Sequence, residues 1–68
     1  MTTITLRNNE GTLSTTVRVK DVEYDQEGLS GRANLTESQA EAARKRLHAY
    51  RLPSVGTDIN GRPVEIYY

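Results

Sequence analysis

The chain has 68 residues, nine Lys plus Arg balanced by nine Asp plus Glu, and no cysteine. These numbers exclude a disulfide framework and a cysteine-based zinc site, and they leave room for a single domain over residues 1–68. No apolar run reaches the length of a membrane span and no N-terminal apolar segment reads as a signal peptide, so a cytoplasmic chain without membrane contact is expected.

Ile4 and Leu6 alternate with Thr5 and Arg7, the pattern of a strand. Asn8-Asn9-Glu10-Gly11 is a turn signal, and Leu13, Thr15, Val17 and Val19 share one parity after it. A tight turn would set Leu6 opposite Leu13 and Ile4 opposite Thr15. The apolar positions then move from 17 and 19 to 22 and 24, a change of parity that one continuous strand cannot hold on one face. Either a bulge near Lys20-Asp21 restores the register, or Val22 and Tyr24 face the other way.

Asp25-Gln26-Glu27-Gly28 is a second turn, followed by Leu29, Gly31, Ala33 and Leu35 at period two. A tight turn here pairs Tyr24 with Leu29, Val22 with Gly31 and Asp21 with Arg32. Thr36-Glu37-Ser38-Gln39 fits a capping box, and Leu35 and Ala40 are placed as a hydrophobic staple. Ala40, Ala43, Leu47 and Tyr50 recur at helical spacing, and Pro53 stops the helix near Tyr50 or Arg51.

Asn60-Gly61 is a hairpin signal, with room for a short strand around Val55 to Ile59 before it. Val64, Ile66 and Tyr68 alternate after Pro63, which belongs at an edge or at a strand start. The expected fold is α+β: an antiparallel sheet with one helix packed on one face, in the order β-β-β-α-β, with Tyr50 and Tyr68 in the core.

Neutrality conceals segregation. Residues 1–20 carry three cations and one carboxylate, residues 21–43 one cation and six carboxylates, and residues 44–68 five cations and two carboxylates. Asp21, Glu23, Asp25 and Glu27 are spaced by two, so on an extended strand they form a comb with carboxylates about 6.8 Å apart. Such a comb would meet a basic surface; the alternative is a solvated strand face running into a turn. An EF-hand loop beginning at Asp21 fails, because Gln26 and Arg32 stand where it needs Gly and Glu. No metal or cofactor is expected.

On a helix continued past residue 50, Arg44, His48 and Arg51 share one face with Lys45 beside it, a surface suited to phosphates. The alternative is complementation of the helix dipole and a Glu41–Lys45 pair. Tyr67 faces away from Val64 and Ile66 and reads either as an interface anchor beside arginines or as the cap of a core edge. His48 has no carboxylate at either i−4 or i+4, and no nucleophile motif or phosphate loop accompanies it, so no catalytic residue is expected.

A domain this short buries only about 60% of the surface of its unfolded chain. A deep pocket would take core volume it does not have, so a non-catalytic, protein-binding role is expected, not an enzyme. The cysteine-free short chain, the compact α+β order and the acidic segment Asp21, Glu23, Asp25 and Glu27 resemble small phage- or mobile-element-encoded inhibitors such as anti-CRISPR proteins. That resemblance implies a protein in the host cytoplasm that binds a larger nucleoprotein complex and blocks it by occlusion. Two other expectations stand beside it: a nucleic-acid binder using the basic end of the helix, Arg44 to Arg51, with strand residues Arg7, Arg18 and Lys20 contributing, and a homodimer formed through an edge strand over residues 63–68.

Overall fold

The computed structural model describes residues 1–68. Strands β1 (Thr2–Arg7), β2 (Ser14–Val19), β3 (Glu23–Tyr24) and β4 (Gly31–Asn34) precede helix α1 (Glu37–Arg46), and β5 (Val55–Thr57) and β6 (Pro63–Tyr67) follow it. All the strands belong to one sheet in the order β2-β1-β5-β6-β4-β3. The fold is α+β as expected, and the short strand before the last one is present. The sheet, however, is mixed: β4 and β6 are parallel, and the other neighbours are antiparallel. Parallel neighbours need a long crossover. The path through α1 and the β5–β6 hairpin supplies it.

The parity change after Val19 is not a bulge. The chain leaves β2 there, and the next strand, β3, lies at the opposite edge of the sheet. From Val19 to Glu23 the chain spans at most about 14 Å. The edges of a flat six-stranded sheet would be about 24 Å apart. The sheet therefore curls until its two edges approach, and Val22 packs against the core from the connecting segment.

Alternation along the strands sends Ile4, Leu6, Val17, Val19, Ala33, Val64 and Ile66 inward, where Ala40 and Ala43 of α1 and Leu47 just beyond it meet them. Small side chains on the helix let it sit close to the sheet. Gly56 does the same between strands: a Cβ there would lie 2.6 Å from Leu6 Cδ2 and 2.8 Å from the Thr5 carbonyl oxygen.

Both expected hairpin registers are displaced by two residues. Leu6 pairs with Thr15 and Ile4 with Val17, so Leu13 stands in the loop. Glu23 pairs with Arg32 and Tyr24 with Gly31; Leu29 is in a loop and Asp21 is unpaired. The cause is one turn device used three times. Asn8, Asp25 and Asp58 each turn a side-chain oxygen back onto later backbone N–H groups, accepting from Thr12 (2.9 Å), Leu29 (2.9 Å) and Arg62 (2.8 Å). The glycine three positions on has φ of 71°, 69° and 82° at Gly11, Gly28 and Gly61. Asx side chains make such bonds and glycine accepts positive φ without a Cβ clash. The first two loops are longer than tight turns, and each displacement is even, so every side chain keeps its face.

Helix α1 begins as expected. Gln39 N–H donates to Thr36 Oγ1, and Thr36 N–H donates to Gln39 Oε1, both at 3.1 Å. It ends earlier, at Arg46 with Leu47 as C-cap. His48 adopts φ of 51°. His48 N–H then donates to the Lys45 carbonyl at 3.1 Å and Ala49 N–H to the Arg44 carbonyl at 3.2 Å, a Schellman closure. The stop reverses the expectation for Tyr50, which is 98% exposed rather than in the core. Tyr68 is also outside the core, one residue beyond the last ladder pair, Asn34–Tyr67. Pro63 is the first residue of β6, but β6 is interior, between β5 and β4, so residues 63–67 offer no free edge for a homodimer.

Candidate functional site

The early helix stop opens a groove on the surface. Tyr50 and Arg51 swing away from the helix axis, and buried Leu52 returns the chain to the core. Between this segment and α1 lies an open groove of about 610 Å³, walled by Glu37, Glu41 and Arg44 on the helix and by Tyr50, Arg51 and Tyr68 opposite. Arg44 is held in place by its Nη1, which donates to the Ala49 carbonyl at 3.3 Å. The groove carries carboxylates toward the helix start and guanidinium groups toward its end, with two aromatic rings at the rim.

The residues of the acidic segment do not form a comb along one strand. Only Glu23 lies within β3; Asp21 is in the linker before it, and Asp25 and Glu27 are in the loop after it. All four are exposed. Arg32 approaches Glu23 to 3.9 Å, in place of the expected pairing with Asp21. Asp25 is committed to its turn: the Leu29 N–H, together with the N–H groups of Gly28 and Ser30, holds its carboxyl below the usual range. Asp25, Glu23, Arg32 and Glu65 surround a small depression of about 130 Å³.

The basic set is dispersed. Arg44 and Lys45 are helical, His48 is the left-handed residue beyond the C-cap, and Arg51 lies outside the helix, so Arg44, His48 and Arg51 do not share a helical face. Lys45 pairs with Glu41 at 3.7 Å, both groups well exposed. Tyr67 is on the outer face of β6, where its O–H donates to the Glu65 carboxylate; that bond holds the phenol above its ordinary value.

One polar cluster was not anticipated. Tyr24 O–H donates to Asp58 Oδ2 at 2.6 Å, while Asp58 Oδ1 accepts from the backbone N–H of Asn60 (2.9 Å) and of Arg62 (2.8 Å). The Arg62 guanidinium carbon stands 5.4 Å from the Tyr24 ring centroid, a cation–π distance. The Tyr24 bond is the main cause that lowers the Asp58 carboxyl and raises the Tyr24 phenol. This clasp ties the edge strand β3 to the β5–β6 hairpin. Its sequence signal is the third Asx-x-x-Gly turn, Asp58-Ile59-Asn60-Gly61, matching Asn8–Gly11 and Asp25–Gly28.

No group of three His, Cys, Asp or Glu side chains is arranged to hold a metal ion, and no helix is long and apolar enough to cross a membrane. Comparison with protein-family models, with curated proteins and with solved structures finds no match to this chain.

Proposed function

We propose that this chain is a non-catalytic protein-binding module and that its partner docks in the groove between α1 and the Tyr50–Leu52 segment. The observation that carries this reading is the exposure of Tyr50 (98%) and Tyr68 (68%) at the rim of one groove that also holds Arg44 and Arg51. Tyrosine and arginine are the side chains that most often dominate binding energy at protein interfaces. Large aromatic rings left in water at no structural need favour that use. The groove suits a segment with an apolar anchor between the rings and a carboxylate against Arg44 and Arg51.

In this reading the module acts by occlusion, as the likeness to small phage-encoded inhibitors implies, and a body of 34 × 23 × 16 Å covers the surface it blocks. The exposed carboxylates of Asp21, Glu23, Glu27 and Glu65 steer it toward a basic target, a contribution to association rate more than to affinity.

The test is an affinity capture from the native host followed by calorimetry of the captured partner with variants. Tyr50→Ala and Tyr68→Ala are expected to weaken binding by about 30-fold or more each, the loss of a hot spot. Glu23→Lys with Glu27→Lys is expected to slow association with little change in dissociation. Full-strength binding by the Tyr50→Ala/Tyr68→Ala double variant rejects the groove.

A further inference from the structure

We propose that the outer face of β1 and β2 is a binding surface for the sugar–phosphate backbone of a nucleic acid. The register sets Thr3 beside Arg18, Thr5 beside Thr16 and Arg7 beside Ser14. Alternation directs these residues outward, because their neighbours Ile4, Leu6, Val17 and Val19 are buried. Thr57 pairs with Thr5 and carries the row of hydroxyls onto β5. Exposed Lys20 follows directly after β2.

The face holds no carboxylate. Glu10 and Asp21, the acidic residues next in sequence, lie in the turn after β1 and the linker after β2, at opposite ends of the pair. The two ion pairs of the chain are Arg32–Glu23 and Lys45–Glu41, so Arg7, Arg18 and Lys20 have no acidic partner within 4.0 Å. Of their three side chains only that of Arg7 makes a hydrogen bond, from Nη1 to Thr57 Oγ1 at 3.2 Å. Arg18 lies opposite Thr3, four positions from Arg7, which separates the two arginine positions by about 14 Å along the strands. Thr5 and Thr16 occupy the interval.

Arginine and hydroxyl groups are what phosphate oxygens accept hydrogen bonds from, and such contacts place a protein on nucleic acid without reading bases. The face is the outside of a curled sheet, so it rests against a backbone and does not enter a groove. The outward side chains of the β1–β2 ladder are all polar, so the pair has no apolar stripe to insert among lipids, as a membrane-seated surface needs. β1 and β2 carry cations and no carboxylate, whereas β3 and β6 each carry a glutamate, which leaves the ribbon as the side of the sheet a polyanion approaches.

This surface shares no residue with the aromatic groove, so its test stands apart from the one above. Fluorescence anisotropy with a labelled single-stranded oligonucleotide and with duplex DNA reads it directly. Three phosphate contacts predict an affinity that falls roughly 20- to 40-fold between 50 and 200 mM salt. The Arg7→Gln/Arg18→Gln/Lys20→Gln variant, its fold checked by circular dichroism, is expected to lose binding, while Arg44→Gln/Arg51→Gln retains it. The proposal is overturned by the absence of binding at 50 mM salt, by undiminished binding of the triple variant, by loss confined to Arg44→Gln/Arg51→Gln, or by binding to anionic vesicles instead of oligonucleotide.

Discussion

Gln39 donates its side-chain amide to the backbone carbonyl of Arg18 at 2.7 Å, tying the first turn of the helix to the free edge of β2. The same side chain closes the capping box with Thr36. One residue thus starts the helix, docks it, and covers an edge carbonyl that would otherwise be open to pairing.

Substitutions at Gln39 separate those roles. Gln39→Glu keeps the acceptor for Thr36 and loses the donor for Arg18, at an expected cost of about 1 kcal/mol. Gln39→Ala removes both and costs about 1–2 kcal/mol. Urea unfolding midpoints rank the two, and equal midpoints for Gln39→Glu and wild type would discount the Arg18 bond.

The helix stop predicts a stabilising change. His48 holds φ of 51°, a conformation that glycine adopts without a Cβ penalty. His48→Gly is expected to gain about 0.5–1 kcal/mol, and His48→Val to lose stability because a β-branched residue resists that region. Thermal denaturation checks both signs.

Close strand approach predicts the opposite at Gly56. A methyl group there meets the Thr5 carbonyl and the Leu6 and Ile4 side chains, so Gly56→Ala is expected to cost about 1–3 kcal/mol through overpacking. Against a total of about 3–5 kcal/mol for a domain of this size, that removes a large share of the stability. Nothing lies within 4 Å of a Cβ at Gly11, where only the backbone strain of positive φ would be felt. Far-ultraviolet circular dichroism of the two variants compares the effects.

Tyr50→Ala is expected to leave the melting temperature unchanged, since the side chain is almost wholly in water, whereas Leu47→Ala at the buried helix stripe is expected to cost about 2–5 kcal/mol. A large thermal shift for Tyr50→Ala would mean that the ring packs against the fold and is not a free docking group.

Stability is expected to fall at both ends of the pH scale. Asp25 and Asp58 are held below the ordinary carboxylate value, so their contribution is complete above about pH 4 and is lost as the pH drops through their lowered values. Tyr24 and Tyr67 are held above the ordinary phenol value, so their contribution is complete below about pH 10 and is lost as the pH rises through their raised values. Asp58→Asn with Tyr24→Phe should flatten both limbs in a chemical-denaturation series across pH. An unchanged profile would dismiss the clasp as a source of pH dependence.

Local chemistry is readable from the chain because it depends on neighbours a few positions apart. Thr36 and Gln39 announce a capping box, Ala40, Ala43 and Leu47 announce the buried stripe, and Asn60-Gly61 announces the last hairpin. The acidic residues and the exposed Tyr67 are equally visible. Their arrangement is not. A strand that bulges and a strand that breaks produce the same parity change at residues 20–22, and only the packing of Val22 and the clasp of Tyr24 on Asp58 select the break. Continuing the helical period places Tyr50 in the core; the left-handed turn at His48, which histidine tolerates but does not announce, puts the ring in water and opens the groove. Strand order and the parallel β4–β6 pair likewise arise when one curled sheet must bury both the helix stripe and the hairpin faces around a single core. Periodicity, caps and turn residues act over a few bonds and are written in the sequence. Which edges meet and which aromatic side chains remain outside is decided by the shared use of one small interior.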